Sequence, residues 1–177
     1  MSTSLVIDTS TSRTIVALVK DEQIIWQSFH EGATDHGNAV AHLVKQALAV
    51  GVNPDRVVVG MGPGPFTGLR VGISFARAFA AARNIPVIGI CSLDAIVVEQ
   101  AEYTVAIDAR RKEIYWARYR DGQRVAGPAV NFPADVDGYI IDQYPDVARM
   151  VALSAHENYA EPFYLRRPDA VATADRS

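Results

Sequence analysis

The sequence predicts an α/β protein of two lobes, and three observations predict it. Short β-branched runs alternate with longer stretches whose apolar residues recur at helical spacing, as in strands interleaved with helices. Residues 5–23, LVIDTSTSRTIVALVKDEQ, lie without a gap over residues 105–123, VAIDARRKEIYWARYRDGQ. Between these two stretches, Gly60 to Gly72 packs five glycines and two prolines into thirteen residues and leads straight into an apolar helical pattern.

Ser4 to Ile7 reads as a short apolar strand and Thr14 to Lys20 as a second, β-branched at Thr14, Ile15 and Val16. Polar DTSTSR turns the chain between them and KDE turns it again before QIIWQSF, giving a three-stranded meander. Asp35 is placed to cap a helix that carries Val40, Leu43, Val44, Ala47 and Leu48 on one stripe, with Gly51 where the helix should stop. Arg56 to Val59 is the next strand, and the chain is helical from about Thr67 to Arg83, where NIP ends it. VIGI is another buried strand, and Ser92 is placed to cap a further helix through Glu99. Further on, RVAGPAVNF and GYIID read as strands, and Pro145 suits the first turn of a helix with Val147, Met150 and Val151 on one face. The expected division is a first lobe over 1–102, a reduced second lobe over 103–168 and a flexible tail over 169–177.

The repeat sharpens the fold class. Ile7, Asp8, Ala17, Asp21 and Gln23 recur as Ile107, Asp108, Ala117, Asp121 and Gln123, in the same order of strand, Asp, turn, strand and hairpin. Two lobes that each open this way are the plan of the actin and sugar-kinase superfamily, so the duplication predicts an actin-like ASKHA (ribonuclease H-like) fold with a shortened second lobe.

In a kinase of that plan an Asp after each repeated strand faces the cleft and helps hold Mg²⁺ and phosphates. Asp8, with Thr9, Ser10 and Thr11, keeps that chemistry in the first lobe, whereas Asp108 is followed by Ala109, Arg110 and Arg111. Two readings stand: a vestigial nucleotide cleft at Asp8, Thr9, Ser10 and Asp108, or two aspartates that cap turns at strand ends. An adenosine pocket needs paired glycines late in the chain, and after residue 102 there are only Gly122, Gly127 and Gly138, each isolated. A weak or vestigial ATPase or phosphotransferase is therefore the alternative function. The glycine stretch is no P-loop, because Leu69 and Arg70 follow Gly68 where Lys and Ser/Thr should stand.

Other chemistry is thin. Cys91 is the only cysteine, which excludes a disulfide framework and reads as a small buried residue. His36 and His42 are six apart, on different faces of a helix, and all four histidines read as surface residues, so no metal site is expected. Seventeen basic against twenty acidic side chains give a net charge of -3, which argues against a chain that holds nucleic acid by its charge alone. No apolar run reaches the ~18 residues of a spanning helix and the N-terminus lacks a signal-peptide pattern, so no membrane contact and a cytoplasmic location are expected.

The helix after the glycines has unusual faces. Gly68, Gly72, Ala76 and Ala80 recur every four residues as a smooth strip that admits another backbone, and Arg70, Ser74 and Arg77 form its only polar stripe. The helix is either packed within its own lobe or keeps one side for a partner protein.

The blocks LVIDTSTSRTIVAL, GPGPFTGLRVGISFARAFA, VIGICSLDA, AIDARRKEIYWARY and PFYLR together resemble the TsaB (YeaZ) family, over about residues 4–120 and again near 162–167. Pro65 stands where the family's central block usually has Ser, and the second lobe is short between Asn131 and Pro162. The resemblance implies a non-catalytic scaffold that binds the catalytic paralogue TsaD, and with it the ATPase TsaE, in threonylcarbamoylation of adenosine 37 of tRNAs reading ANN codons. It implies a homodimer through the same first-lobe surface when TsaD is absent, and tRNA engaged only through the complex. It also implies no cofactor on this subunit, with ATP, Mg²⁺ and metal on its partners. Carried onto this chain, the partner surface would comprise Val40, Leu43, Val44 and Ala47 of the first helix and Gly68, Arg70, Gly72, Ala76 and Ala80 of the second.

Overall fold

Leu5, Ile7, Val16 and Leu18 are buried on one side of the opening strands, and Val6, Ile15, Ala17 and Val19 on the other. A strand pair apolar on both faces has to lie in the middle of three layers, and that requirement organises the first lobe. The computed structural model describes residues 2–166, so the tail expected over 169–177 lies outside the described residues. The sheet is built from β1 (Thr3–Asp8), β2 (Arg13–Lys20), β3 (Gln23–Glu31), β4 (Arg56–Gly60) and β5 (Val87–Ile90), in the order β3-β2-β1-β4-β5. β1 and β2 are antiparallel, as are β2 and β3, whereas β4 runs parallel to both β1 and β5. Helices α1 (His36–Leu48) and α2 (Phe66–Arg83) cover one face.

The other face is covered from the far end of the chain. Helix α3 (Val147–Leu153) sets Val147, Met150 and Val151 against Val6, Ile15, Ala17, Val58 and Ile90. The expected boundary near residue 102 therefore divides the two sheets but not the two cores, because residues 147–153 complete the first lobe. Asp146 caps α3 by accepting the Arg149 backbone N–H at 2.7 Å, so Pro145 lies just outside the helix and not in its first turn.

The second sheet repeats the opening topology: β6 (Glu102–Asp108), β7 (Ile114–Arg120), β8 (Gln123–Asn131) and the two-residue β9 (Tyr139–Ile140), in the order β8-β7-β6-β9. The repeat carries a one-residue slip. Asp8 pairs with Ile15, but Asp108 pairs with Ile114, because the second turn is one residue tighter. As strand side chains alternate, the slip reverses faces: Ile7 and Ala17 lie on opposite sides of their sheet, while Ile107 and Ala117 share one core. That core joins the lobes, with Val105, Ile107, Tyr115 and Ala117 packed against Cys91, Leu93 and Ile96 and partly covered by Tyr159 and Phe163.

The helix expected from Ser92 through Glu99 is a single 3-10 turn over Ser92–Ala95, after which Ile96 is extended. The Ser92 hydroxyl is donated elsewhere and no side chain caps the turn. Among the described residues no helix is long and apolar enough to cross a membrane.

Candidate functional site

Asp8 ends β1 beside Gly60, the last residue of β4, and its side chain is fully buried. Its Oδ1 accepts the Ser10 backbone N–H at 2.9 Å and the Ser10 hydroxyl at 2.7 Å, and its Oδ2 accepts the Ser92 hydroxyl at 2.7 Å. Ser92 Oγ in turn accepts the Gly62 N–H at 3.2 Å. A Cβ on Gly60 would overlap the Asp8 carboxylate, so only glycine lets β4 end this close. Burial pushes the Asp8 carboxyl above its ordinary pKa of 3.8, and the hydrogen bonds from Ser92 and Ser10 hold it partly down.

Thr9 is used in the same way, donating its hydroxyl to the Gly68 carbonyl at 2.8 Å. The residues read as a phosphate cradle, Asp8, Thr9 and Ser10, are thus buried, with their side chains spent on hydrogen bonds inside the first lobe. The reason is that Ser10 of the same turn and Ser92 after β5 occupy both oxygens of Asp8, with Ser92 Oγ held in turn by the Gly62 N–H. The second-lobe aspartate differs: Asp108 is exposed, accepts the Arg110 backbone N–H at 2.8 Å, and lies 3.7 Å from the Arg110 guanidinium. It lines a depression of about 200 Å³ with Thr11, Ser12, Arg110 and Tyr144.

His36 corrects the expectation of four surface histidines. It opens α1, is 4 % exposed, and its Nδ1 lies 2.8 Å from the Thr14 hydroxyl. Its ring fills the space beside Gly68, where a Cβ would come within 2.9 Å of the imidazole. Burial holds its pKa below the ordinary 6.5, opposed by the charge of Asp8. Asp35, next to it, stands at the N-cap position but accepts from the Asn38 side chain at 2.8 Å and caps no backbone N–H.

Eight of the nine residues assigned to a partner surface are buried inside the first lobe. Val40, Leu43, Val44 and Ala47 face the sheet, together with Ala76 and Ala80. Gly68 meets His36 and the Thr9 carbonyl, and a Cβ on Gly72 would overlap the Thr9 side chain. The small-residue strip exists so that α2 can approach its own β1–β2 turn. Only Arg70 of the nine is exposed. The outer surface of these helices is instead His42, Lys45 and Gln46 of α1, and Arg70, Ser74 and Arg77 of α2 flanked by half-buried Val71, Phe75 and Phe79. Phe75 and Phe79 stack with ring centroids 6.3 Å apart.

One cluster escaped sequence reasoning. Tyr119 donates its hydroxyl to Asp94 at 2.7 Å, and Arg124 reaches the same carboxylate at 3.5 Å and the Tyr159 hydroxyl at 3.3 Å. These partners are 25 or more residues apart and no local pattern joins them. The neighbouring Cys91 is fully buried in the core that joins the lobes, and that burial pushes its thiol up to about 12. Among the described residues no group of three or more His, Cys, Asp or Glu is placed to hold a metal ion.

Comparison with known proteins gives this architecture its context. A family model described as TsaD, tRNA N6-adenosine threonylcarbamoyltransferase, matches residues 30–171. An uncharacterized protein of Mycobacterium tuberculosis (strain H37Rv) is 41 % identical, covering 96 % of this chain and 94 % of its own. The tRNA threonylcarbamoyladenosine biosynthesis protein TsaB of Escherichia coli (strain K12) is 31 % identical over 66 % of this chain and 54 % of its own, and that of Haemophilus influenzae 35 % identical over 66 % and 53 %. The chain thus spans about half the length of the TsaB relatives it matches. YeaZ from Pseudomonas aeruginosa superposes with a TM-score of 0.74 at 24 % identity, over 88 % of this chain and 91 % of that one. The likeness shows a shared fold, and the two sheets of this chain agree with the two-lobed plan expected from the sequence.

Proposed function

Because the chain belongs to the TsaD family, within its TsaB (YeaZ) branch, we propose that it serves in the biosynthesis of threonylcarbamoyladenosine in tRNA as a non-catalytic subunit. On this reading it binds the catalytic paralogue TsaD and, with it, the ATPase TsaE, for modification of adenosine 37 in tRNAs reading ANN codons. It needs no cofactor of its own, forms a homodimer when alone, and works in the cytoplasm.

The observation that carries the reading is the closed cradle around Asp8. A phosphotransferase of this fold needs a carboxylate that can reach a metal or phosphate, and here both oxygens of Asp8 accept buried hydrogen bonds from Ser10 and Ser92. The outer side of α2 is accessible, and there half-buried Val71, Phe75 and Phe79 lie beside Arg70 and Arg77. An apolar patch with a charged rim is the composition of a protein interface. The proposed TsaD surface is therefore this outer face, with Arg70 retained from the residues named by resemblance.

The test is mass by size exclusion with light scattering, for the chain alone and mixed with TsaD from the same organism. A heteromeric species is expected, and Arg70→Glu with Arg77→Glu should abolish it while leaving the fold intact. Independent elution of the two wild-type proteins, with and without nucleotide and TsaE, would overturn the reading.

A further inference from the structure

The last stretch of the described chain, residues 158–166, has no helix or strand of its own, yet it is fastened along its whole length. It crosses the outer edge of β5, the last strand of the first sheet. There Tyr159 donates its backbone N–H to the Gly89 carbonyl at 2.9 Å, and the Asn158 side-chain oxygen accepts the Gly89 N–H at 3.0 Å. Phe163 donates its N–H to the Met61 carbonyl at 2.9 Å, and at the far end Arg166 donates to the Ala109 carbonyl at 2.9 Å. The rings of Tyr159 and Phe163, with centroids 4.9 Å apart, pack against both the first-lobe core and the core that joins the lobes. Glycine at position 89 admits this approach, because a Cβ there would fall 2.2 Å from the Tyr159 carbonyl oxygen.

From that fixed path the stretch reaches the outer side of α2 twice. Arg77 donates from Nη2 to the Ala160 carbonyl at 2.7 Å. The Tyr164 ring lies 4.9 Å from the Phe66 ring, and the Arg70 guanidinium lies 5.2 Å from Phe66. Both arginines of the proposed partner surface are therefore braced from the same side, one by a carbonyl and one through a ring. A long side chain on an exposed helix face loses rotamer freedom when a partner fixes it, and a side chain already held in place loses less. A guanidinium has five N–H donors, so the bond to Ala160 leaves Arg77 able to receive a partner as well.

We propose that residues 158–166 are a positioning strap, which holds Arg77, and through Phe66 also Arg70, in the orientation in which a partner protein meets them. That the partner is TsaD rests on the function proposed above; that the strap holds the arginines rests on its own contacts. Gly89 and Asn158 thereby become positioning residues for a surface to which Gly89, being buried, does not itself belong.

The experiment has two arms, with a urea midpoint measured for every variant. In the isolated chain, NMR relaxation of the arginine Nε–H groups reads how firmly each guanidinium is held. Gly89→Ala lifts the strap from β5, so the order of Arg77 should fall, while that of Arg83, which lies over the Phe79 ring, should stay as in wild type. Tyr164→Ala should loosen Arg70, and Tyr164→Phe, which keeps the ring, should restore it. In the second arm TsaD is titrated against wild type, Gly89→Ala, Arg77→Ala and the double variant. Gly89→Ala should weaken binding roughly two- to tenfold, and the double variant should bind within about twofold of Arg77→Ala alone, because both changes remove one contribution. If Gly89→Ala does not fold, Asn158→Ala, which removes the acceptor of the Gly89 N–H, takes its place on the same readouts. Unchanged order of Arg77 in a folded variant overturns the proposal. So do binding losses that simply add in the double variant, which would mean that the strap acts on something other than the arginine. Should wild-type chain and TsaD not associate, the proposed function fails, while the relaxation arm still decides the strap.

Discussion

Asp8 and Ser92 are 84 residues apart in sequence and 2.7 Å apart in space, joined by a hydrogen bond from the serine hydroxyl to Oδ2. The contact binds the end of β1 to the turn after β5. Asp8→Ala leaves the Ser10 and Ser92 hydroxyls buried without their acceptor. It should cost about 2–4 kcal/mol of stability, and Ser92→Ala about 1–2 kcal/mol. Urea unfolding of both variants measures this; a stable Asp8→Ala would mean that the carboxylate is not structural.

Gly72→Ala should destabilise the isolated chain by about 1–3 kcal/mol, because the added methyl meets the Thr9 side chain. Gly72→Leu should not fold. Thermal unfolding is the readout, and a wild-type midpoint for Gly72→Ala would show that α2 can move away from the β1–β2 turn at no cost.

His36 gives the molecule a defined acid sensitivity. Its folded pKa lies below 6.5, so above that value both folded and unfolded chains carry a neutral imidazole and stability is complete. As pH falls below 6.5 the unfolded chain takes up the proton first, and stability declines until the folded pKa is reached, after which it levels off. Asp8, raised from 3.8, acts in the opposite sense, losing stability as pH rises from 3.8 to its folded value. Unfolding free energies of wild type and His36→Gln from pH 7.5 to 5 separate the two: the difference between the proteins should shrink as pH falls. A constant difference would place the proton elsewhere.

The Arg13 guanidinium lies 4.3 Å from the Phe29 ring centroid and 3.6 Å from that of Tyr144, and it pairs with Glu31. It thereby ties the edge strand β3 to the segment leading into α3. Arg13→Ala should cost about 1–2 kcal/mol, and Arg13→Lys should recover less than half of that because lysine lacks the planar face. Hydrogen exchange should show β3 and residues 144–153 opening sooner in Arg13→Ala.

Cys91 offers a direct probe of opening at the lobe junction. Its thiol is fully buried, and that burial pushes it up to about 12, so little of it is thiolate in native protein near neutral pH. Its labelling by a thiol reagent should therefore be far slower than that of a free cysteine and should rise with urea. Rapid labelling in native buffer would show that the core around Leu93 and Val105 opens readily.

Much of this architecture was legible in the sequence because the pertinent signals are local. The opening hairpin, α1, β4, α2 and β5 follow from apolar periodicity with Gly51, Asn84 and Pro86 as punctuation, and the repeat at Asp8 and Asp108 disclosed the second lobe. What failed depends on facing. A stripe such as Val40, Leu43, Val44 and Ala47 states that one side of a helix is buried, but not whether its own sheet or another chain covers it. Gly68 and Gly72 signal close approach without naming the neighbour, which is Thr9 with His36. His36 itself is invisible as a core residue, since its partner Thr14 lies 22 positions earlier on another strand. The gap-free match of Ala17 with Ala117 likewise hides the slip that turns one of them to the opposite face.

The placement of α3 governs the order in which this molecule can be completed. A nascent chain that has emerged only as far as residue 102 holds all five strands of the first sheet, but not the helix that shelters Val6, Ile15, Ala17 and Val58. Until residue 153 leaves the ribosome, that apolar face stands open to chaperones or to other unfinished chains. The first lobe, though encoded first, is among the last parts of the protein to be finished.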